Sequence, residues 1–209
     1  MRSRGLMRVA AGVVAAVTFL AGCAADSGGD EGAGERVDPS GQATVAPPPG
    51  EAGAVDWIDA CPSSGVPVGR GDGLPDLTLP CLGPGEPVQL AGLTGRPRLV
   101  NIWTSWCGPC RAEMPWLQQA HDTRAVDVLG VDAEDQVPAA GALLDELSVT
   151  FPSVYDPRNE LAREIRIVTK PTTLFVSKEG EVVFVLPGAF ASYDEMRQLV
   201  STHLGVDLP

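Results

Sequence analysis

Arg98-Leu99-Val100-Asn101-Ile102-Trp103 leads through Thr104-Ser105 into Trp106-Cys107-Gly108-Pro109-Cys110, and then into Arg111-Ala112-Glu113-Met114-Pro115-Trp116-Leu117-Gln118. The first segment is a short, almost uninterrupted apolar run, the pattern of a buried strand. The last reads as a helix. A Cys-x-x-Cys pair by itself is ambiguous between a redox couple and half a zinc site. At a strand-to-helix junction the two cysteines can face each other and close a small ring, which can open and close in exchange with other thiols. The chain has no second Cys-x-x-Cys and only two histidines, His121 and His203, so no metal is expected. Arg111 stands where haem attachment would require histidine.

Working outward, Leu77-Thr78-Leu79 and Pro87-Val88-Gln89-Leu90 read as short strands turned by Gly83-Pro84-Gly85. A strand is expected from Val126 to Val131, and helices over Pro138–Leu147 and Asn159–Ile165. Thr172 to Ser177 and Val182 to Leu186 read as strands joined through a Glu179-Gly180 hairpin turn. Ser192, with Glu195 three positions on, forms the capping box of a last helix whose apolar side is Met196, Leu199, Val200 and the pair His203-Leu204. Pro115 is expected to kink the helix that follows the cysteines.

The segment Leu99–Pro115, together with Lys170-Pro171-Thr172-Thr173-Leu174-Phe175-Val176 and Lys178-Glu179-Gly180-Glu181, resembles the thioredoxin superfamily. Within it, the chain is most similar to the membrane-tethered extracytoplasmic thiol-disulfide oxidoreductases of bacteria linked to cytochrome c maturation. The likeness covers roughly residues 72–205. It implies an α/β, thioredoxin-like fold: a central mixed β-sheet flanked by helices, with an extra N-terminal β-hairpin. It also implies that Pro171 is a cis-proline facing the cysteines, and that Trp106, Lys170, Pro171 and Thr172 bind substrate. Lys170 departs from the family pattern, where a small or apolar residue is usual; its ammonium either acts on Cys107 and on acidic partners or is a solvated loop charge. Trp103 reads as core, and Trp116 as core or site.

The thiolate is the attacking species, and a helix N-terminus favours it. Cys107 is therefore expected to be the nucleophile and Cys110 the resolving thiol. Reducing thioredoxins keep a buried carboxylate on the central strand, but the matching residue here is Asn101. Glu113, three positions after Cys110 and on the same helical side, is the expected substitute. The partners implied are protein thiols and disulfides (apocytochrome c among them) and a membrane electron donor of thiol type. Gly108-Pro109 is shared by reducing and oxidising relatives, so the direction stays open between a disulfide reductase and an oxidant that installs disulfides. A non-enzymatic peptide-binding or holdase module is the remaining alternative.

Met1 to Arg8 carries three arginines, Val9 to Leu20 is apolar, and Leu20-Ala21-Gly22-Cys23 resembles the bacterial lipobox. The expected organisation is a signal peptide over 1–22, a disordered acidic, Pro- and Gly-rich tether over 23–56, and the thioredoxin-like domain over 57–209. Cys23 would carry the lipid, which places the protein on the extracytoplasmic side of the cell membrane. An uncleaved anchor, or an ordinary signal with a chance cysteine, is the competing reading, although the apolar run is short for a span of about 20 residues. The chain has net charge −12, more negative still once a leader bearing Arg2, Arg4 and Arg8 is removed. That disfavours nucleic acid as a partner. Cys61 and Cys81 remain of the five cysteines. In an oxidising compartment they are expected to form a structural disulfide that pins the incoming chain to the first strand, with an electron-relaying pair as the alternative.

Overall fold

The computed structural model describes residues 55–67 and 71–209, all within one compact unit. The leader at 1–22, the lipidation position Cys23 and almost the whole of the tether lie outside the described residues. Val55 and Ile58 are both buried in the core, and the Val55 N–H donates to the Leu82 carbonyl at 3.1 Å.

Two small sheets form. β1 (Thr78–Leu79) pairs antiparallel with β2 (Val88–Gln89). The second has five strands: β3 (Arg98–Trp103), β4 (Asp127–Ala133), β5 (Ser153–Asp156), β6 (Thr172–Val176) and β7 (Val182–Pro187). Their order is β5-β4-β3-β6-β7, parallel among β3, β4 and β5 and antiparallel from β3 to β6 and β6 to β7. This is the mixed sheet, with its extra hairpin, that the family likeness implies. The helices are α1 (Gly108–Asp122), α2 (Val137–Glu146), α3 (Glu160–Glu164) and α4 (Tyr193–Leu204).

All six residues of β3 are buried, and their alternation divides the core. Leu99 and Trp103 pack on one face with Met114 and Leu117 of α1, Leu143 and Leu144 of α2, and Met196 and Val200 of α4. Val100 and Ile102 pack on the other with Leu79, Val88 and Leu161. Asn101 shares the parity of Leu99 and Trp103, which aims the amide at α1.

α1 continues across Pro115, whose side of the helix is exposed. Gly180 (φ +90) makes the turn between β6 and β7, a conformation that β-carbon sterics deny to most residues. Ser192 caps α4 by accepting from Glu195 N–H at 3.1 Å, and Glu195 Oε2 accepts in return from Ala191 N–H at 2.5 Å.

Two expectations need correction. β5 was not anticipated, because Phe151-Pro152-Ser153-Val154-Tyr155-Asp156 is short and is broken by proline and polar residues. Its outer edge is covered by Pro80–Leu82, which runs along it: Leu82 N–H donates to Ser153 O and Tyr155 N–H to Pro80 O, both at 2.8 Å. An uncovered edge would be a template for aggregation. The Cys61–Cys81 disulfide is present, but Cys81 lies beyond β1, in this covering strap, bridged to Val154. The bond therefore staples the entering chain to the cover of the sheet edge and not to the first strand.

Candidate active site

The sheet delivers the cysteines. β3 ends at Trp103, Thr104-Ser105-Trp106 make the turn, and Cys107 is the N-cap of α1. A helix leaves its first N–H groups without intrahelical partners, so a negative charge at the cap is favoured. Here the Cys107 sulfur accepts from the Cys110 N–H at 3.2 Å. Pro109 in the first turn forfeits no hydrogen bond. Cys107 and Cys110 are joined as a disulfide. Cys107 retains 7% exposure and Cys110 none, so only the first sulfur can be reached from outside. Trp106 beside it is 68% exposed, whereas Trp103 is fully buried and Trp116 packs partly against the core.

Glu113 is fully buried on the same side of α1 as Cys110. Its Oε1 accepts from Asn101 Nδ2 at 2.7 Å and its Oε2 from the Phe190 N–H at 3.0 Å. Asn101 Nδ2 also donates to Thr173 Oγ1 at 2.9 Å. Burial raises the Glu113 carboxyl to about 7, against the two hydrogen bonds, which favour its charged form. Asn101 cannot titrate, as read from the sequence, but it is the donor that orients the group that does.

The second wall is the loop before β6. The Lys170–Pro171 bond is cis, and Thr172, the first residue of β6, pairs with Ile102 of β3. The proline loop and the cap of α1 therefore lie at the same end of the sheet. Thr172 is fully buried and its hydroxyl donates to the Thr169 carbonyl at 2.8 Å. Its side chain thereby braces the loop that carries the cis bond. Lys170 Nζ lies 2.6 Å from Glu134 Oε2, with the Lys170 side chain 15% exposed. Trp57, at the rim of the domain, lies over Gly141 of α2.

Sequence reading missed the acidic group at the carboxyl end of β4. Asp132 is fully buried, and no side-chain or backbone donor among the described residues reaches either of its oxygens. Burial first, and the neighbouring Asp135 second, raise it to about 9, so it is neutral at physiological pH. Burial also pushes Asp135 upward, but hydrogen bonds from Ser105, Gln136 and Thr104 outweigh it and hold that carboxyl below the usual range. The available signal was position: in α/β folds, functional groups gather at the carboxyl ends of parallel strands.

The model of the AhpC/TSA family matches residues 70–185. Thiol-disulfide oxidoreductase ResA of Oceanobacillus iheyensis is 31% identical over 125 residues, 57% of this chain. The chain spans 65% of that relative, just under two thirds of its length. Among solved structures, a thiol:disulfide interchange protein of the thioredoxin family from Chlorobium tepidum superposes with a TM-score of 0.56 at 26% identity, covering 65% of this chain and 98% of that one. A secreted Mycobacterium tuberculosis disulfide oxidoreductase homologous to Escherichia coli DsbE gives a TM-score of 0.55, also at 26% identity, covering 61% and 96%.

Proposed function

The chain belongs to the AhpC/TSA family, and from that premise we propose that it is a protein thiol-disulfide oxidoreductase working through Cys107 and Cys110. The observation that carries the reading is the closed Cys107–Cys110 disulfide at the cap of α1, with one sulfur reachable and the other sealed. The names of the relatives support the same class of reaction.

In the reducing direction the Cys107 thiolate attacks one sulfur of a client disulfide. A mixed disulfide forms, and the first client sulfur leaves as a thiolate that takes up a proton. Cys110 then loses its proton, attacks the Cys107 sulfur and expels the second client thiolate. The client gains two electrons and two protons, and the Cys107–Cys110 bond is left closed. Glu113, one helical turn from Cys110, is the acceptor for the proton that Cys110 must lose.

The chain is further proposed to act on the outer face of the cell membrane, held by lipid on Cys23, with exported thiols such as those of apocytochrome c as clients and a membrane thiol carrier as electron donor. The Leu20-Ala21-Gly22-Cys23 motif supports the anchor, and the name of the ResA relative supports thiol-disulfide exchange as the chemistry.

The reduction potential of the pair tests the direction. The fragment from Glu51 is equilibrated in thiol buffers and followed by tryptophan fluorescence, with Trp106 and Trp103 flanking the bond. A value near about −270 mV is expected for a reductase; one near about −120 mV would assign disulfide insertion instead. Absence of any reversible transition would favour the binding-module alternative.

Glu113→Gln tests the proton acceptor. A group raised to about 7 is half protonated at neutral pH, and its ionisation should appear as an inflection there in the resolving step. Gln keeps the shape and an acceptor oxygen, so the fold should survive. The expected result is loss of the inflection and a fall of about tenfold or more in the rate at pH 7, read by stopped-flow reduction of a mixed disulfide. The raised Glu113 makes the folded state hold its proton above the ordinary carboxylate range, so it contributes a decline in stability from about pH 4.5 to about 7, and the variant should decline less steeply over that range. An unchanged rate profile removes Glu113 from the mechanism.

A further inference from the structure

Two loops stand at the cysteine end of the sheet: Thr104–Cys107 before α1, and Ile167–Pro171 before β6. Both are tied to one dipeptide, Glu134-Asp135, at the end of β4. Glu134 adopts φ 54, a left-handed conformation that is unfavourable for a residue with a β-carbon. It is held there from both sides: its N–H donates to the Asp156 carbonyl at 3.2 Å, and the Asp135 carbonyl accepts from the Tyr155 hydroxyl at 3.2 Å. The two successive carboxylates are given different targets. Asp135 accepts from the Ser105 N–H, from Ser105 Oγ at 2.9 Å and from Thr104 Oγ1 at 3.1 Å, and is itself fixed by the Gln136 N–H at 2.8 Å. Glu134 takes Lys170 Nζ at 2.6 Å.

Each tie ends beside an exposed apolar side chain. Trp106 follows Ser105 and is 68% exposed; Val168 lies two residues before Lys170 and is 96% exposed. The loops that carry them are held through Asp135 on one side and Glu134 on the other.

We propose that Glu134 and Asp135 are positioning residues that fix the spacing of the nucleophile loop and the proline loop, so that the protein selects extended polypeptide disulfides over small ones. The proposal rests on the oxidoreductase reading above. A small disulfide needs only the Cys107 sulfur; a polypeptide must also fit between the two loops, and misplacement by an ångström is costly.

The test compares full-length wild type with Glu134→Lys, Lys170→Glu and the double charge swap, using insulin and hydroxyethyl disulfide as substrates. Thermal unfolding verifies that each variant is folded. Either single change is expected to raise KM for insulin about tenfold, with a smaller effect on kcat. In Glu134→Lys the rate with hydroxyethyl disulfide should stay within about twofold, and the swap, which restores an ion pair of opposite polarity, should recover insulin turnover to within about threefold. Asp135→Asn, measured in parallel, should lose insulin turnover in the same selective way. Parallel loss of both substrates, or a folded swap with no recovery, overturns the proposal while the parent reading stands. A wild-type protein that exchanges with neither substrate removes both.

Discussion

Cys107→Ser is expected to abolish disulfide exchange, by at least about a thousandfold, and Cys110→Ser to turn the protein into a trap. A serine hydroxyl is a far weaker nucleophile than a thiolate at neutral pH, and among the described residues no other cysteine is placed to substitute. Cys110 is sealed behind Cys107, and Cys61 and Cys81 are held in their own bond. In Cys110→Ser the first attack still occurs, since Cys107 keeps its place at the cap and its donor in the N–H of residue 110. The second step fails, so the client remains attached through Cys107. Mass spectrometry after incubation with a disulfide-containing protein should show a one-to-one adduct that dithiothreitol releases. Exchange surviving in Cys107→Ser, or an adduct through Cys110 in the wild type, would reverse the assignment of roles.

The second large effect concerns stability. Removing the Cys61–Cys81 bond, by Cys61→Ala with Cys81→Ala, is expected to cost about 3 kcal/mol, because the bond closes a loop with a sequence separation of 20. Its place argues for the full amount. Cys81 sits in the strap along β5, and its loss frees both the strap and the entering chain that contributes Val55 and Ile58 to the core. For a domain of this size the expected fall in Tm is about 6–12 °C. Insulin reduction by Cys107 and Cys110 should persist at temperatures where the variant is folded. An unchanged Tm with lost activity would instead make Cys61–Cys81 an electron relay. Deprotection of the β5 edge should also show as faster hydrogen exchange at Ser153–Asp156, where the strap's bonds end.

The acid-rich end of β4 explains why pH enters in more than one way. Glu113 and Asp132 are both buried carboxyls whose folded forms favour the proton, at about 7 and about 9 respectively. Each draws stability down as pH rises from the ordinary carboxylate range towards its raised value. Only Glu113 stands on α1 with the cysteines, so the inflection in exchange rate near pH 7 belongs to Glu113, while Asp132 draws stability down over a wider range, to about 9.

Much of this architecture was written locally. The buried run of β3, the proline in the first turn of α1, Gly180 between β6 and β7 and the box of Ser192 with Glu195 are all formed by residues within a few positions of one another. Their geometry follows from backbone sterics and from orphan N–H groups at helix ends, which depend on neighbours in the chain. The redox pair was legible for the same reason: spacing of three at a helix start brings two sulfurs together without help from elsewhere.

What remained hidden joins residues far apart in the chain. β5 exists because Pro80–Leu82 covers it and β4 pairs with it, not because its own pattern is strong. The partner of Cys61 was legible by elimination, yet its role as a staple over a sheet edge required the path of the strap. Asn101 holding Glu113, Glu134 holding Lys170 and Asp135 holding Ser105 each bring together side chains 12 to 36 positions apart. The sequence alone determined the dithiol, the strand-and-helix frame that carries it and the acid one turn along. Only the tertiary structure decided what that acid touches, what bridges the two loops and which carboxyls keep their protons, because burial and through-space charge depend on where the sheet folds distant segments together.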